Sequence, residues 1–171
     1  MRHALGGLLI GVLIGQPLGA AAKTGTEAPL PPFELKGTSL DGRAVDSGQL
    51  RGKVVMVFYW NTSCRVCMQK MAELRANAAG WRGKPFELIL VSTDAQRQDV
   101  LTHARLVRLI DAGASPMSTL WTGDPDYRDT LTAPPKRLPL TLVLNVQGAV
   151  AARHEGRIAP EAWDAVADLL P

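Results

Sequence analysis

The stretch Val54-Val55-Met56-Val57-Phe58-Tyr59-Trp60-Asn61-Thr62-Ser63-Cys64-Arg65-Val66-Cys67 joins an unbroken apolar run to a pair of cysteines. The run from Val54 to Trp60, β-branched and aromatic-rich and preceded by Gly52-Lys53, predicts a strand buried on both faces, as in a parallel or mixed sheet. Thr62 or Ser63 can then cap a helix that runs to about Ala79, with Gly80 ending it. The cysteines therefore fall where a buried strand meets a helix N-terminus. With the helix starting at Ser63, Cys64 lies in its first turn and Cys67 one turn further in, on the same side and close enough to bridge. The unpaired N–H groups and the positive end of the helix dipole favour thiolate over thiol at Cys64, and Arg65 adds a positive charge beside it. The spacing predicts an exposed nucleophile at Cys64 and a more buried resolving thiol at Cys67, exchanging through a mixed disulfide.

Outward from this motif the chain reads as one α/β domain. Its 171 residues are 46% hydrophobic and 20% charged, enough to bury a sizeable core. Phe33-Glu34-Leu35 and the turn Leu40-Asp41-Gly42-Arg43 predict a short β-element before the buried strand. After it come a second apolar strand, Phe86 to Ser92, and a helix from Gln96 to Ala112 stopped by Gly113. Gly113 to Leu138 is too long for a structureless connection, so a strand near Ser118 to Trp121 and a helical turn near Pro125 to Leu131 are expected. Leu140 to Asn145, the turn Val146-Gln147-Gly148 and Ala149 to Glu155 read as a hairpin. Pro160 to Leu170 closes the chain as a helix with Pro160 in its first turn. This order describes a sheet of parallel and antiparallel strands with helices on both faces. Pro139 opens the later hairpin, where a proline need not donate to the ladder. A cis peptide there would expose the Leu138 backbone, so that an extended substrate could pair with it as an added strand.

Several function classes are excluded. Lys and Arg total 19 against 16 Asp and Glu, a formal charge of +3 with no dense basic block, so there is no nucleic-acid footprint. Two cysteines cannot build a disulfide framework or a four-cysteine zinc site. At the N-terminus, Arg2-His3, the uncharged apolar stretch Ala4 to Leu18 and Ala20-Ala21-Ala22 give residues 1–22 the character of a secretory signal peptide or an uncleaved membrane anchor. Residues 23–32 read as a tether and 33–171 as the folded domain, exported to an extracytoplasmic, periplasmic compartment in either case.

Together with Leu138-Pro139-Leu140-Thr141-Leu142-Val143-Leu144-Asn145 and Gly148, the run Val54 to Cys67 resembles the thioredoxin fold. More narrowly it is similar to the TlpA/ResA-like extracytoplasmic thiol–disulfide oxidoreductases of bacteria, over roughly residues 28 to 170. The resemblance implies a mixed central sheet flanked by helices, with an N-terminal β extension and an inserted helix–strand unit between Gln96 and Thr122. It implies that Pro139 is cis and packed against Cys64 and Cys67, and that Leu138, Pro139 and Trp60 shape a substrate-docking edge. No cofactor or metal is implied beyond the redox-active Cys64–Cys67 disulfide. The implied substrates are disulfide-containing exported proteins, reduced as in cytochrome c biogenesis or disulfide repair. The implied electron source is a membrane donor of the DsbD/CcdA type.

The chain departs from that pattern in the residues that would tune the redox pair. Ser63 replaces the usual aromatic, Arg65-Val66 stands where a proline is common, and Lys70 takes the place of a glutamate. Phe58 falls where thioredoxin proper carries a buried acid. Arg65 and Lys70 would both stabilise a thiolate and so raise the potential, which keeps a disulfide oxidant or isomerase open. A peroxiredoxin is rejected, because its motif needs Thr three residues before the cysteine and Asn61 stands there. A Sco-like thiolate copper carrier is the other class that stays open; such relatives space their cysteines by three residues, which argues against it, and His103 and His154, which could complete a site, read as solvated. Asn61-Thr62-Ser63 is a chance glycosylation match, and Asp124, Asp126 and Asp129 lack the glycine and distal glutamate of a calcium loop. Trp81, Trp121 and Trp163 read as core or rim aromatics.

Overall fold

The computed structural model describes residues 32–110 and 117–171. The expected signal or anchor, the tether up to residue 31 and the helix stop at Gly113 lie outside the described residues. Strands β1 (Leu35–Thr38) and β2 (Ala44–Asp46) form a hairpin, followed by a single 3-10 turn and the seven-residue strand β3 (Val54–Trp60). Helix α1 (Arg65–Gly80), strand β4 (Phe86–Ser92), helix α2 (Arg97–Ile110) and strand β5 (Ser118–Trp121) come next. The two-residue strand β6 (Arg128–Asp129), the hairpin β7 (Leu140–Leu144) and β8 (Val150–Glu155), and helix α3 (Glu161–Asp168) complete the chain.

The main sheet has the order β5-β4-β3-β7-β8. β3 runs parallel to β4 and antiparallel to β7, so it is central and paired along both sides. All seven of its side chains are buried. They alternate between two cores: Val54, Met56, Phe58 and Trp60 on one face, Val55, Val57 and Tyr59 on the other. Burial of side chains of this size contributes about 1.5–3 kcal/mol each, which makes β3 the best-fixed element available to carry a site.

The sheet is mixed and flanked by helices, but the helices do not cover both faces. The hydrophobic residues that α1, α2 and α3 bury, among them Met71, Leu74, Val100 and Val166, all join the core that contains Phe58 and Trp60. The strand order explains this. From β3 to β4 to β5 the chain moves in one direction across the sheet, and two right-handed crossovers in the same direction fall on the same face. The other face is covered by β2-β1-β6 and the 3-10 turn, through Phe33, Leu35, Val45 and Leu50.

β6 replaces the helical turn expected near Pro125 to Leu131. Turns at Asp124 and Tyr127 deliver Arg128 and Asp129 to the free edge of β1, where Lys36 faces Arg128 and Leu35 faces Asp129. Tyr59 donates from its hydroxyl to Asp129 Oδ2 at 2.7 Å, and Tyr127 donates to the same oxygen at 2.5 Å. Burial foremost, with the neighbouring Asp129 carboxylate, pushes both phenols far above their ordinary range, so both remain donors. Asp124 instead meets Arg97 at 3.4 Å, and Asp126 accepts from Thr38 at 2.5 Å, so the three aspartates serve three separate contacts.

The β7–β8 turn depends on Gly148, whose φ is +77°. A Cβ built there would lie 1.0 Å from Arg51 Nη1. Its carbonyl also accepts from Phe33 N at 3.1 Å, so the turn receives the incoming chain. Gly148→Ala is expected to destabilise the fold by about 1–2 kcal/mol, read as a lower denaturant midpoint with an unchanged slope.

Helix α2 packs through Val100 and through His103, whose ring lies edge-on to Trp60 with centroids 4.9 Å apart. The expectation of a solvated His103 is thus corrected. Burial foremost, and then the Arg75 charge, hold its imidazole below the ordinary value of 6.5, while Asp94 acts weakly the other way. A base that is harder to protonate when folded leaves the unfolded chain binding more protons, so stability rises with pH across that window. Stability is expected to be complete above about pH 6.5 and to decline as the pH falls below it. His103→Phe should flatten that part of the profile of melting temperature against pH.

Candidate active site

β3 ends at Trp60, and within four residues the chain has turned into α1. Cys64 N donates to Asn61 O at 3.2 Å and closes this turn. Cys64 is itself the N-cap of α1, so neither Thr62 nor Ser63 has the expected capping role. Its Sγ accepts from Cys67 N at 3.1 Å, and its carbonyl accepts the first helical bond from Met68 N. A side-chain sulfur thus occupies the position where capping oxygens usually sit, directly on the unpaired N–H groups of the helix.

Cys64 and Cys67 form a disulfide, with S–S 2.06 Å and Cα atoms 5.2 Å apart. Cys64 is half-buried, whereas Cys67 has no exposed surface and belongs to the core with Phe58 and Met71. Attack on or by an outside sulfur therefore has access at Cys64 only, and Cys67 can act only on its neighbour.

The β7 register brings the second predicted feature to the same end of the sheet. Leu140 faces Tyr59, which places Pro139 level with Trp60, the residue from which the chain leaves for Cys64. The Leu138–Pro139 peptide bond is cis. Pro139 is buried and its carbonyl accepts from Gly156 N at 2.7 Å, while Leu138 keeps partial exposure. Trp60, placed on the docking edge by the sequence, has only 1% of its surface exposed and packs on His103. The indole is therefore held inside the core and not displayed on a surface docking edge.

Arg65 is exposed on the first turn of α1 and Val66 is half-buried beside it. Lys70 is largely buried, and its Nζ lies 2.6 Å from Glu73 Oε2. Trp163 of α3 donates to the other oxygen of Glu73 at 2.7 Å. The Lys70 hydrogen bond foremost, together with the one from Trp163, holds the Glu73 carboxyl below its ordinary range. The positive charge of Lys70 is therefore matched by a carboxylate one turn along the helix.

One residue of the site was missed from the sequence. Asp94, just past the end of β4, accepts from Thr62 N at 2.9 Å and Thr62 Oγ1 at 2.6 Å. The available signal was positional: Ser92-Thr93-Asp94 is a polar trio at the carboxyl end of a buried parallel strand, where sites of α/β sheets collect. Among the described residues no three His, Cys, Asp or Glu side chains gather in a group that could hold a metal ion. Also among them, no helix is long and apolar enough to cross a membrane.

Comparison with solved structures shows the same fold. The structure is similar to a thiol:disulfide interchange protein of the thioredoxin family from Chlorobium tepidum, with a TM-score of 0.63 and 17% identity over 83% of this chain and 96% of that one. It is also similar to the thioredoxin domain of a thiol-disulfide oxidoreductase from Bacteroides vulgatus, with a TM-score of 0.61 and 17% identity over 85% and 100% of the two chains. A third likeness is to StoA from Bacillus subtilis, with a TM-score of 0.58 and 11% identity over 81% and 98%. No curated protein matches the sequence. The AhpC/TSA family matches residues 25–157, a span that includes both cysteines and Pro139. The chain therefore belongs to the AhpC/TSA family; it has a thioredoxin-like fold and carries the Cys64–Cys67 disulfide at C-x-x-C spacing.

Proposed function

We propose that this protein is a thiol–disulfide oxidoreductase that works outside the cytoplasm as a reductase of disulfides in exported proteins. The observation that carries the exchange step is the unequal burial of the pair on a helix N-terminus, with Cys64 reachable and Cys67 enclosed. In the reduced protein the Cys64 thiolate attacks a substrate disulfide, forming a mixed disulfide and expelling one substrate thiolate. The Cys67 sulfur then attacks Cys64, forming the internal disulfide and expelling the second. Two electrons pass to the substrate, whose sulfurs leave with two protons. The backbone of Leu138, a half-buried residue next to the cis peptide, would pair with the extended substrate during this exchange.

Export is supported by the character of residues 1–22 as a signal peptide or anchor, with 23–32 as tether and 33–171 as the working domain. A reductase in an oxidising compartment needs electrons from elsewhere, so the partner is a membrane donor of the DsbD/CcdA type. Its redox group is the Cys64–Cys67 pair, with no added cofactor. The ion pair of Lys70 with Glu73 supports the reducing direction, because it removes one of the two cations that would have favoured the thiolate.

The reduction potential of the mature domain in glutathione buffers tests this reading. A value near or below about −250 mV is expected, and one above about −150 mV would make the protein an oxidant or isomerase. Cys64→Ser should abolish exchange. Cys67→Ser should leave mixed disulfides with substrate that resolve slowly and are visible on non-reducing gels.

A further inference from the structure

We propose that Asp94 is the positioning residue of the exchange reaction: by holding Thr62 from the end of β4, it fixes the loop that delivers Cys64 to the helix N-terminus. The inference rests on the exchange reading above.

Asn61, Thr62 and Ser63 carry the chain from the fixed end of β3 to Cys64. The bonds that Cys64 N and Ser63 Oγ make to Asn61 are internal to this loop and would move with it. Thr62 ties it to the sheet instead, giving Asp94 Oδ1 both its backbone N–H and its hydroxyl. A carboxylate acceptor makes such bonds roughly twice as strong as neutral ones.

Asp94 is in turn held so that it cannot follow the loop. Only 8% of it is exposed, and its second oxygen accepts from Ser92 Oγ at 2.7 Å. Its backbone N donates to Ser92 Oγ at 3.2 Å, and its carbonyl accepts from the Trp121 indole at 2.7 Å. Trp121 belongs to β5, so the inserted helix–strand unit reaches the redox centre through this aspartate.

The effect on the sulfur follows from capping. Cys64 accepts from Cys67 N only while its backbone keeps the extended cap conformation, φ −78° and ψ 97°. A loop released from Asp94 lets Sγ leave the helix N–H groups, and the thiolate loses their stabilisation.

The reduced full domain is tested by the rate of Cys64 alkylation with iodoacetamide at pH 7 and by its dithiol–disulfide equilibrium with glutathione. Asp94→Ala should slow alkylation about tenfold. It should also shift the equilibrium about tenfold against the dithiol, about 30 mV toward reducing potentials. Asp94→Asn keeps an oxygen toward Thr62 without the charge, and should recover most of both losses. Thr62→Val, which keeps the N–H bond and loses the hydroxyl bond, should slow alkylation about threefold. The proposal is overturned if Asp94→Ala lowers only the melting temperature, or if Asp94→Asn is as impaired as Asp94→Ala, since the charge would then be the agent. Should Asp94→Ala not fold, wild-type values in Thr62→Val overturn it. Failure of the exchange reading is separate, for then the wild-type protein itself would show no reversible two-electron couple.

Discussion

The hydroxyl of Tyr59 sets a constraint on which the position of the redox site depends. β3 is apolar along its whole length and paired on both sides, so its hydrophobic pattern alone does not specify register. A slip by one residue would exchange one buried apolar set for another. Tyr59 removes the degeneracy, because its hydroxyl is buried and needs an acceptor, and Asp129 provides one on the face covered by β1 and β6. A slipped strand would turn that hydroxyl toward the helices and leave it unpaired, at a cost of about 1–3 kcal/mol. With Tyr59 fixed, Trp60 must face the helices, and the chain must leave the sheet where Pro139 and Asp94 meet it.

The direction of travel across the sheet then decides what surrounds the site. Because β4 and β5 are added on the same side of β3, both crossover helices share one face, and the other is left to the small sheet. Handedness of the crossovers is a general rule, but strand order is not written in any single segment. The expectation of helices on both faces failed for that reason. The helix-bearing face carries Cys67, Phe58, Trp60 and His103. The sheet-bearing face carries the constraint that sets the register.

What the sequence disclosed follows the range of the interactions involved. β3 and β4 were legible to the residue as apolar runs, and β5 because the connection from Gly113 to Leu138 is too long to lack structure. The cysteine pair and Pro139 were legible as motifs. β6 was not, because it pairs with the distant β1, where the adjoining bond from Glu34 N to Thr130 Oγ1 spans 96 residues, and the local residues favour a turn. Asp94 was not, because Thr62, which it holds, is 32 residues away. Trp60 was identified as a site residue from its distance along the chain to Cys64, but only packing shows that the ring is enclosed. The cap of α1 was misplaced by one or two residues, because capping rules rest on oxygen side chains and here a sulfur does the same work.

The electrostatics of the site follow from where its charges are cancelled. A thiolate at Cys64 has two sources of stabilisation built into α1, the N-terminal N–H groups and the charge of Arg65. Lys70 would be a third, but it is bonded to Glu73, and Glu73 is bonded to Trp163. This chain of contacts serves packing, since it fastens α3 to α1 across the core face. It also leaves the second turn of the helix nearly neutral as seen from the sulfur. Phe58 adds no charge from below, so the field at Cys64 is that of a helix end and one exposed arginine. Under the proposed direction that modest field is what a reductase requires. A strongly stabilised thiolate would be a good leaving group, and the internal disulfide would then be an oxidant.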